Sequence, residues 1–196
     1  AVAVNNEVLG YFSIQNDYRK GLKGLITTLG NRYKLSLLSG DNDKQKSILT
    51  NYFPPNSELL FNQSPQDKME VVDRLQQNGA QVMMVGDGLN DAGALKKSNV
   101  GVSLAEDVNA FSPACDMILA AEQFSLLDRF MNFAHDCKRI VIISFVISFL
   151  YNIVGLTLAV QGLLSPVSAA ILMPISSISV VGFSTLATWQ ASRKIK

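Results

Sequence analysis

The chain has 196 residues, of which 48% are hydrophobic and 17% are charged, whereas an ordinary soluble domain carries about 25% charged residues. It is too apolar for a disordered protein, and its two cysteines are too few for a disulfide scaffold. All 16 acidic residues precede residue 140, where they slightly outnumber the basic ones, so nucleic-acid binding by charge is excluded. Residues 140–192 carry no charge, which argues against a purely soluble protein.

Short apolar runs alternate with amphipathic stretches through the first 125 residues. The runs predict strands, and apolar residues at intervals of three and four predict helices. In chain order we expect a β-hairpin over 2–4 and 8–14, helix 18–29, strand 33–38, helix 44–51, strand 59–61, helix 64–78, strand 81–85, helix 90–98, and strands 100–104 and 115–119. Strands alternating with helices predict an α/β domain with right-handed crossovers and a parallel sheet covered on both faces.

The alternation of short apolar runs and amphipathic stretches ends after residue 122. Residues 123–139 predict an amphipathic lead-in helix, and residues 140–192 are too long for one membrane span but suit two. Gln161-Gly162 and Ser165-Pro166 interrupt the stretch, which places the spans at about 140–160 and 167–189. Basic residues flank both outer ends, so the positive-inside rule predicts that both ends lie in the cytoplasm.

The expected organisation therefore has four parts. They are a cytosolic α/β portion over 1–122, the lead-in helix over 123–139, two transmembrane helices within 140–192, and a cytosolic tail over 193–196. The alternative is a buried helical hairpin within a larger soluble protein.

The most specific motif is Gly86-Asp87-Gly88-Leu89-Asn90-Asp91, which directly follows a predicted strand. Ligands of open parallel sheets bind beyond the carboxyl ends of the strands. Two carboxylates there, on a turn that glycines permit, suit a hard cation such as Mg²⁺, and Asn90 can donate to a phosphate. The alternative is an ordinary strand-to-helix turn.

Two weaker motifs follow other predicted strands. Ser39-Gly40-Asp41 offers a hydroxyl and backbone N–H groups to phosphate oxygens, although such a triplet is more often a turn or a helix cap. Lys68, near the helix start Ser64-Pro65, offers a positive charge to a phosphoryl group, although a lone lysine is mostly a solvated one. A hydroxyl, a lysine and paired aspartates in this order favour phosphoryl transfer.

These three motifs, in this order, resemble the haloacid-dehalogenase superfamily, which has a Rossmann-like fold. The last motif, followed by Ala92-Gly93-Ala94-Leu95, is similar to the hinge signature of P-type ATPases. Residues 1–119 resemble the second half of their phosphorylation domain. The two spans resemble the last membrane pair of the heavy-metal branch.

The resemblance implies an enzyme that uses ATP and Mg²⁺. On this basis Ser39 and Lys68 would contact the phosphoryl group, and Asp87 and Asp91 would bind magnesium. The full set of implied catalytic residues is Ser39, Gly40, Asp41, Lys68, Asn90 and Asp91.

The family's phosphorylated residue, the aspartate of D-K-T-G-T, does not occur in the sequence. The nearest strings, Asp43-Lys44-Gln45 and Asp67-Lys68-Met69, do not match it. In the family that motif lies upstream of the region that this chain resembles. We therefore expect a fragment that is inactive alone and whose partner is the N-terminal part of the same pump. Gly93 also stands where the family usually has Pro.

Polar residues in membrane spans serve either helix packing or function. Tyr151-Asn152 and Met173-Pro174-Ile175-Ser176-Ser177 resemble the Y-N and M-x-x-S-S motifs of copper(I) P-type ATPases. A thioether suits Cu(I), and neither span contains the carboxylate that a divalent ion would favour. The resemblance implies that the transported ion binds to Tyr151, Asn152, Met173, Ser176 and Ser177.

The leading interpretation is the C-terminal part of a pump in the inner (cell) membrane that exports Cu(I) from the cytosol through an aspartyl phosphate. Its expected partners are the transported ion, the lipid bilayer and a cytosolic copper chaperone, and no nucleic acid. The alternatives are a pump for zinc or another divalent metal and a non-catalytic membrane module.

Overall fold

The computed structural model describes residues 2–5, 7–11, 18–106 and 115–195. The chain forms two compact units, residues 1–125 and residues 126–196. In the first unit, strands and helices alternate as the apolar pattern predicts. The elements are β1 (Val2–Val4), β2 (Glu7–Gly10), α1 (Leu22–Gly30), β3 (Ser36–Leu38), a 3₁₀ turn (Asp43–Gln45), α2 (Lys46–Thr50), β4 (Glu58–Leu60), α3 (Pro65–Gln77), β5 (Met83–Gly86), α4 (Ala92–Lys97), β6 (Val100–Ala105), β7 (Met117–Ala120) and a 3₁₀ segment (Ala121–Leu126).

The strands form three small sheets. β1 and β2 make the predicted antiparallel hairpin, although residues 12–14 of its second predicted strand lie outside the described residues. β3 pairs with β4 in parallel, and β5, β6 and β7 form a second parallel sheet in that order. The parallel pairing is confirmed, but it is divided into two sheets, because β3 and β5 do not pair with each other in the described part of the chain.

A hydrophobic cluster joins the helices to both parallel sheets. It contains Val72 of α3, Met84 of β5, and Ala94 and Leu95 of α4, and the last residue of β3, Leu38, packs against it. Val72 and Leu95 are almost fully buried. The cluster packs residues of β3 and β5 against the same two helices, and so it supports the loops after these strands, which carry two of the predicted motifs.

Helix α3 begins with a reciprocal cap. The Ser64 hydroxyl accepts the backbone N–H of Asp67, and the Asp67 carboxylate accepts the backbone N–H of Ser64. Pro65 occupies the first helical position, where its missing N–H costs nothing. The cap fixes the start of α3 four residues before Lys68.

The second unit is an antiparallel pair of long helices. α5 spans Leu127–Val160 and α6 spans Pro166–Ser192, and the turn between them covers the predicted break. Their most apolar windows have mean hydropathies of 2.3 and 1.8 and no buried residues, so both are long and apolar enough to cross a membrane. The predicted two-helix hairpin is confirmed, with the lead-in residues from Leu127 onward continuous with the first span.

Candidate functional site

The turn after β5 holds Asp87 beyond the carboxyl end of the strand. Asp87 Oδ1 accepts the backbone N–H groups of Leu89, at 3.2 Å, and Asn90, at 3.3 Å. Gly88 has a φ of +85°, a value that a side chain would strain. The Asp87 carboxylate is therefore exposed but fixed in direction.

A buried ion pair lies beside this turn. Lys68 Nζ is 2.7 Å from Asp91 Oδ1, and the two side chains are 11% and 12% exposed. Asp91 stands at the N-cap of α4 but makes no capping bond, because its carboxylate is directed to Lys68. Removing one partner of such a pair costs about 3–5 kcal/mol, since it leaves an uncompensated buried charge.

Gly86 makes room for that pair. A Cβ atom at position 86 would lie 2.4 Å from Asp91 Oδ2 and 2.7 Å from Asp91 Cβ. Both distances are far inside van der Waals contact, so only glycine admits the Asp91 carboxylate here. The last residue of β5 thus lies in direct contact with the Asp91 side chain at the start of α4.

The loop after β3 is tied to the loop after β4. Ser39 N–H donates to the carbonyl of Leu60, and Gln63 N–H donates to the carbonyl of Ser39, both at 2.9 Å. The Ser39 hydroxyl accepts the N–H of Asp41 at 3.1 Å. Since Gln63 directly precedes the Ser64 cap of α3, these bonds connect the Ser39 loop to the helix that carries Lys68.

The structure therefore brings most of the predicted catalytic residues to one region around the start of α3. Lys68 and Asp91 are in contact, Asp87 belongs to the same turn as Asp91, and the Ser39 loop is attached through Gln63. Gly40 and Asp41 belong to that loop and are exposed. Asn90 is also exposed, and its backbone N–H, not its side chain, is engaged by Asp87.

The donors present fit magnesium. In the described residues no three His, Cys, Asp or Glu side chains gather into a metal cluster. Mg²⁺ keeps several waters and needs only one or two carboxylates together with substrate phosphates. Asp87 offers an exposed carboxylate that the turn holds in place, whereas Asp91 is buried and has one oxygen committed to Lys68. Asp87 is thus the better of the two predicted ligands.

A cavity of about 420 Å³ opens beside Ser39 and Asp41. Tyr18 lines it and donates its hydroxyl to Gln45 Oε1. Burial, followed by the neighbouring Tyr52 and Asp41, raises the pKa of Tyr18 above its usual 10.0, so this phenol stays neutral at physiological pH. Nothing in the sequence pattern indicated a cavity here, because its lining residues come from α1, β3, the 3₁₀ turn, α2 and the segments that connect them.

The predicted ion ligands in the spans separate into two groups. Tyr151 and Ser176 are half-buried between the helices, and the Tyr151 hydroxyl lies 3.5 Å from Ser179 Oγ. Asn152, Met173 and Ser177 are exposed on the outside of the hairpin, Met173 by 75%. The two helices therefore do not gather the five predicted ligands into one site by themselves.

Sequence reasoning missed three residues that shape these sites. Gly86 was part of a motif, but its close approach to Asp91 was not foreseen. Asp67 completes the α3 cap, and the spacing Ser64-x-x-Asp67 would have indicated it. Ser179, the partner of Tyr151, lies just beyond the string that carried the ion prediction.

A family model matches the first half of the chain. Residues 1–99 match the model of the haloacid dehalogenase-like hydrolase family. The chain belongs to that family.

Over nearly its whole length the chain also resembles P-type ATPases. It is 28% identical to a copper-exporting P-type ATPase of Mycobacterium leprae over 184 residues, which cover 93% of this chain and 24% of that protein. It is 27% identical to the copper-exporting P-type ATPase of Staphylococcus haemolyticus, over 92% of this chain and 23% of that one. The chain thus spans about a quarter of the length of these curated relatives, and the resemblance drawn from the motifs is confirmed.

Two solved structures share its fold. A zinc-transporting PIB-type ATPase in the E2.Pi state superposes with a TM-score of 0.72 at 22% identity, covering 98% of this chain and 30% of that one. The catalytic CPx-ATPase domain CopB-B superposes with a TM-score of 0.52 at 32% identity, covering 63% of this chain and 49% of that domain. The first likeness extends through both units and supports the fold alone.

Proposed function

We propose that this chain supplies the phosphate-binding and last membrane-spanning parts of an ATP-driven Cu(I) exporter of the P-type ATPase class. The observation that carries the catalytic half is the buried Lys68–Asp91 pair, packed against Gly86 beside the fixed carboxylate of Asp87. A buried lysine at the carboxyl end of a parallel sheet, with a carboxylate pointing outward next to it, is the arrangement that phosphoryl transfer needs.

In this proposal each residue has a separate task. Lys68 supplies a positive charge whose position Asp91 fixes, and the Ser39 hydroxyl donates to a phosphoryl oxygen. Asp87, and Asp91 through its second oxygen, are the residues that would hold magnesium. When bound, magnesium would neutralise charge that develops on the transferring group.

The aspartate that accepts the phosphoryl group would come from polypeptide outside these 196 residues, since no D-K-T-G-T occurs here. The division of the parallel strands into two sheets supports a contribution from further polypeptide. In the described part of the chain β3 pairs only with β4 and β5 only with β6, while Leu38 and Met84 share one hydrophobic cluster. A further parallel strand that paired with both free edges would bring its carboxyl end to the site.

Ser39 provides the test of the catalytic half. In the full-length polypeptide that contains the aspartate, Ser39→Ala should lower the rate of phosphoenzyme formation from ATP by about tenfold to a hundredfold, the loss expected for one hydrogen bond to a charged group. Ser39→Thr keeps the hydroxyl and should retain most of the rate. Equal rates in Ser39→Ala and the wild-type protein would exclude the hydroxyl from the site.

The membrane half of the proposal concerns the ion. Met173 offers the only sulfur within residues 140–192, and neither span carries a charge. Cu(I) is monovalent and soft, so thioether, hydroxyl and amide ligands suit it better than they suit a divalent ion. Because Asn152, Met173 and Ser177 face outward from the hairpin, we propose that other helices of the same pump cover this face and complete the ion site.

Met173→Leu tests the ion assignment. Leucine keeps volume and apolarity, so packing should change by less than about 1.5 kcal/mol. In the full-length pump we expect normal insertion, loss of Cu(I)-stimulated ATPase activity, and unchanged phosphorylation by inorganic phosphate. Met131→Leu, which lies outside the predicted spans, is the matched control. Full copper stimulation in Met173→Leu would contradict the assignment of Met173 as a Cu(I) ligand. Zinc would then be the competing transported ion.

Integral membrane insertion follows from the two long apolar helices together with the P-type ATPase relatives. We further propose that the α/β unit lies in the cytoplasm and that the membrane is the inner (cell) membrane. The cytosolic copper chaperone stays a prediction.

A further inference from the structure

One end of the helical hairpin concentrates the charge of the second unit. Among the described residues 126–195 there are five basic side chains and two acidic ones, and all seven belong to the end where α5 begins and α6 finishes. The turn at the opposite end, residues 161–165, has none. The charged side chains of the hairpin are therefore confined to one of its two ends.

Two contacts fix the level of these charges on the hairpin. Lys194 Nζ is 3.0 Å from Asp136 Oδ2 and so links the end of α6 to α5. Arg193 lies over the ring of Trp189, with Cζ 3.7 Å from the ring centroid, and Trp189 is 56% exposed. Tryptophan prefers the membrane–water interface, so this ring marks the depth of the headgroups.

Three of the basic residues have no acidic partner in the described part of the chain. Lys138 and Arg139 are exposed on α5, two and three residues beyond Asp136, and Arg193 stands directly before Lys194. All three are thus at the level of Trp189. Their immediate neighbours along both helices are apolar surfaces that the second unit leaves unburied.

We propose that Lys138, Arg139 and Arg193 bind the headgroups of anionic phospholipids at this end of the hairpin. Charge complementarity indicates the occupant, because three cations without an acidic partner in the described residues lie at the level expected for headgroup phosphates. Arg139 and Arg193 add planar donor pairs that match phosphate oxygens. This inference requires only that the hairpin spans the bilayer, and it stands apart from the phosphoryl chemistry and the ion.

The single tryptophan of the chain provides the measurement. The full chain is reconstituted into phosphatidylcholine vesicles that contain equal mole fractions of either brominated phosphatidylglycerol or brominated phosphatidylcholine. We expect the brominated anionic lipid to quench Trp189 more strongly, and this preference to weaken as ionic strength rises. Inorganic phosphate at matched ionic strength should not compete any better than chloride.

Charge-removing variants locate the surface. Lys138→Gln combined with Arg139→Gln should reduce the preference by up to about fivefold for each charge removed. Lys20→Gln combined with Lys34→Gln removes the same charge from exposed positions of the other unit and should leave the preference intact. Arg193→Lys should retain most of the preference for the anionic lipid, whereas Arg193→Gln should weaken it. Equal quenching by the two lipids, or a preference that Lys138→Gln/Arg139→Gln keeps in full, would overturn the proposal.

Discussion

At position 86 the backbone leaves room for a hydrogen atom and nothing larger, because the Asp91 carboxylate occupies the space where a Cβ atom would be. Gly93 is a milder case. A Cβ atom there would lie 2.4 Å from Met69 Sδ, but this flexible side chain can move aside, so the contact favours glycine inside α4 without requiring it. The Asp91 contact depends on how the turn inside the motif folds, and the Met69 contact comes from another helix, so spacing alone discloses neither.

Gly86→Ala tests the first constraint. The new methyl group must displace Asp91 from Lys68 or shift the strand, and we expect a loss of about 1–3 kcal/mol in the free energy of unfolding. Gly24→Ala in α1 is the control, since a Cβ atom there meets nothing within 4 Å and should stabilise the helix by up to about 1 kcal/mol. Urea unfolding of the full chain in detergent, followed by far-UV circular dichroism, compares the two. A Gly86→Ala protein as stable as Gly24→Ala would refute the close packing.

At the scale of elements, the apolar pattern placed every helix and strand in the described residues to within a few positions. Helix α3 was predicted from Ser64-Pro65 and is found at Pro65–Gln77. The strand ends that carry Ser39 and Asp87 were also anticipated. The division of the sheet between β3 and β5 was not, because the pattern shows which segments are strands and not which strands pair.

The α3 cap makes a prediction about pH. The Ser64 hydroxyl and then the Ser64 backbone N–H donate to the Asp67 carboxylate and lower its pKa below the usual 3.8. The folded form therefore gains stability from this group at pH values above about 3.8, and loses it as the pH falls through the lowered pKa. Ser64→Ala removes the larger cause and should raise the pKa, whereas Ser64→Thr should keep it low. Carbon-13 NMR titration of the Asp67 carboxyl measures both, and an unchanged pKa in Ser64→Ala would contradict the cap.

At the scale of the whole chain, the change in composition after residue 122 was sufficient to predict the helical hairpin. The predicted break near Gly162 is the turn between α5 and α6, where Gly162 has a φ of +70°. The pairing of the two helices was less predictable. Tyr151 meets Ser179 rather than a residue of the M-x-x-S-S string, because antiparallel register depends on the packing of both helices.

Topology is the prediction that belongs to this scale. Lys138-Arg139 and Arg193-Lys194 should hold both outer ends in the cytoplasm, because basic flanks resist translocation. A reporter fused after Lys196 should therefore be active in the cytoplasm, and one inserted at Gly162 on the opposite side. A Gly162 reporter active in the cytoplasm would contradict the two-span organisation.

The central proposal is that the turn after β5 holds a magnesium-binding carboxylate that phosphoryl transfer requires, and Asp87→Asn tests it most directly. Asparagine keeps an oxygen that can accept the N–H groups of Leu89 and Asn90, so the turn should persist while the charge is lost. In the full-length polypeptide we predict that phosphoenzyme formation from ATP falls by about a hundredfold or more. Asp73→Asn, which alters exposed contacts with Lys97 and Gln77 and nothing in the site, should phosphorylate normally. Wild-type phosphorylation in Asp87→Asn would contradict the account.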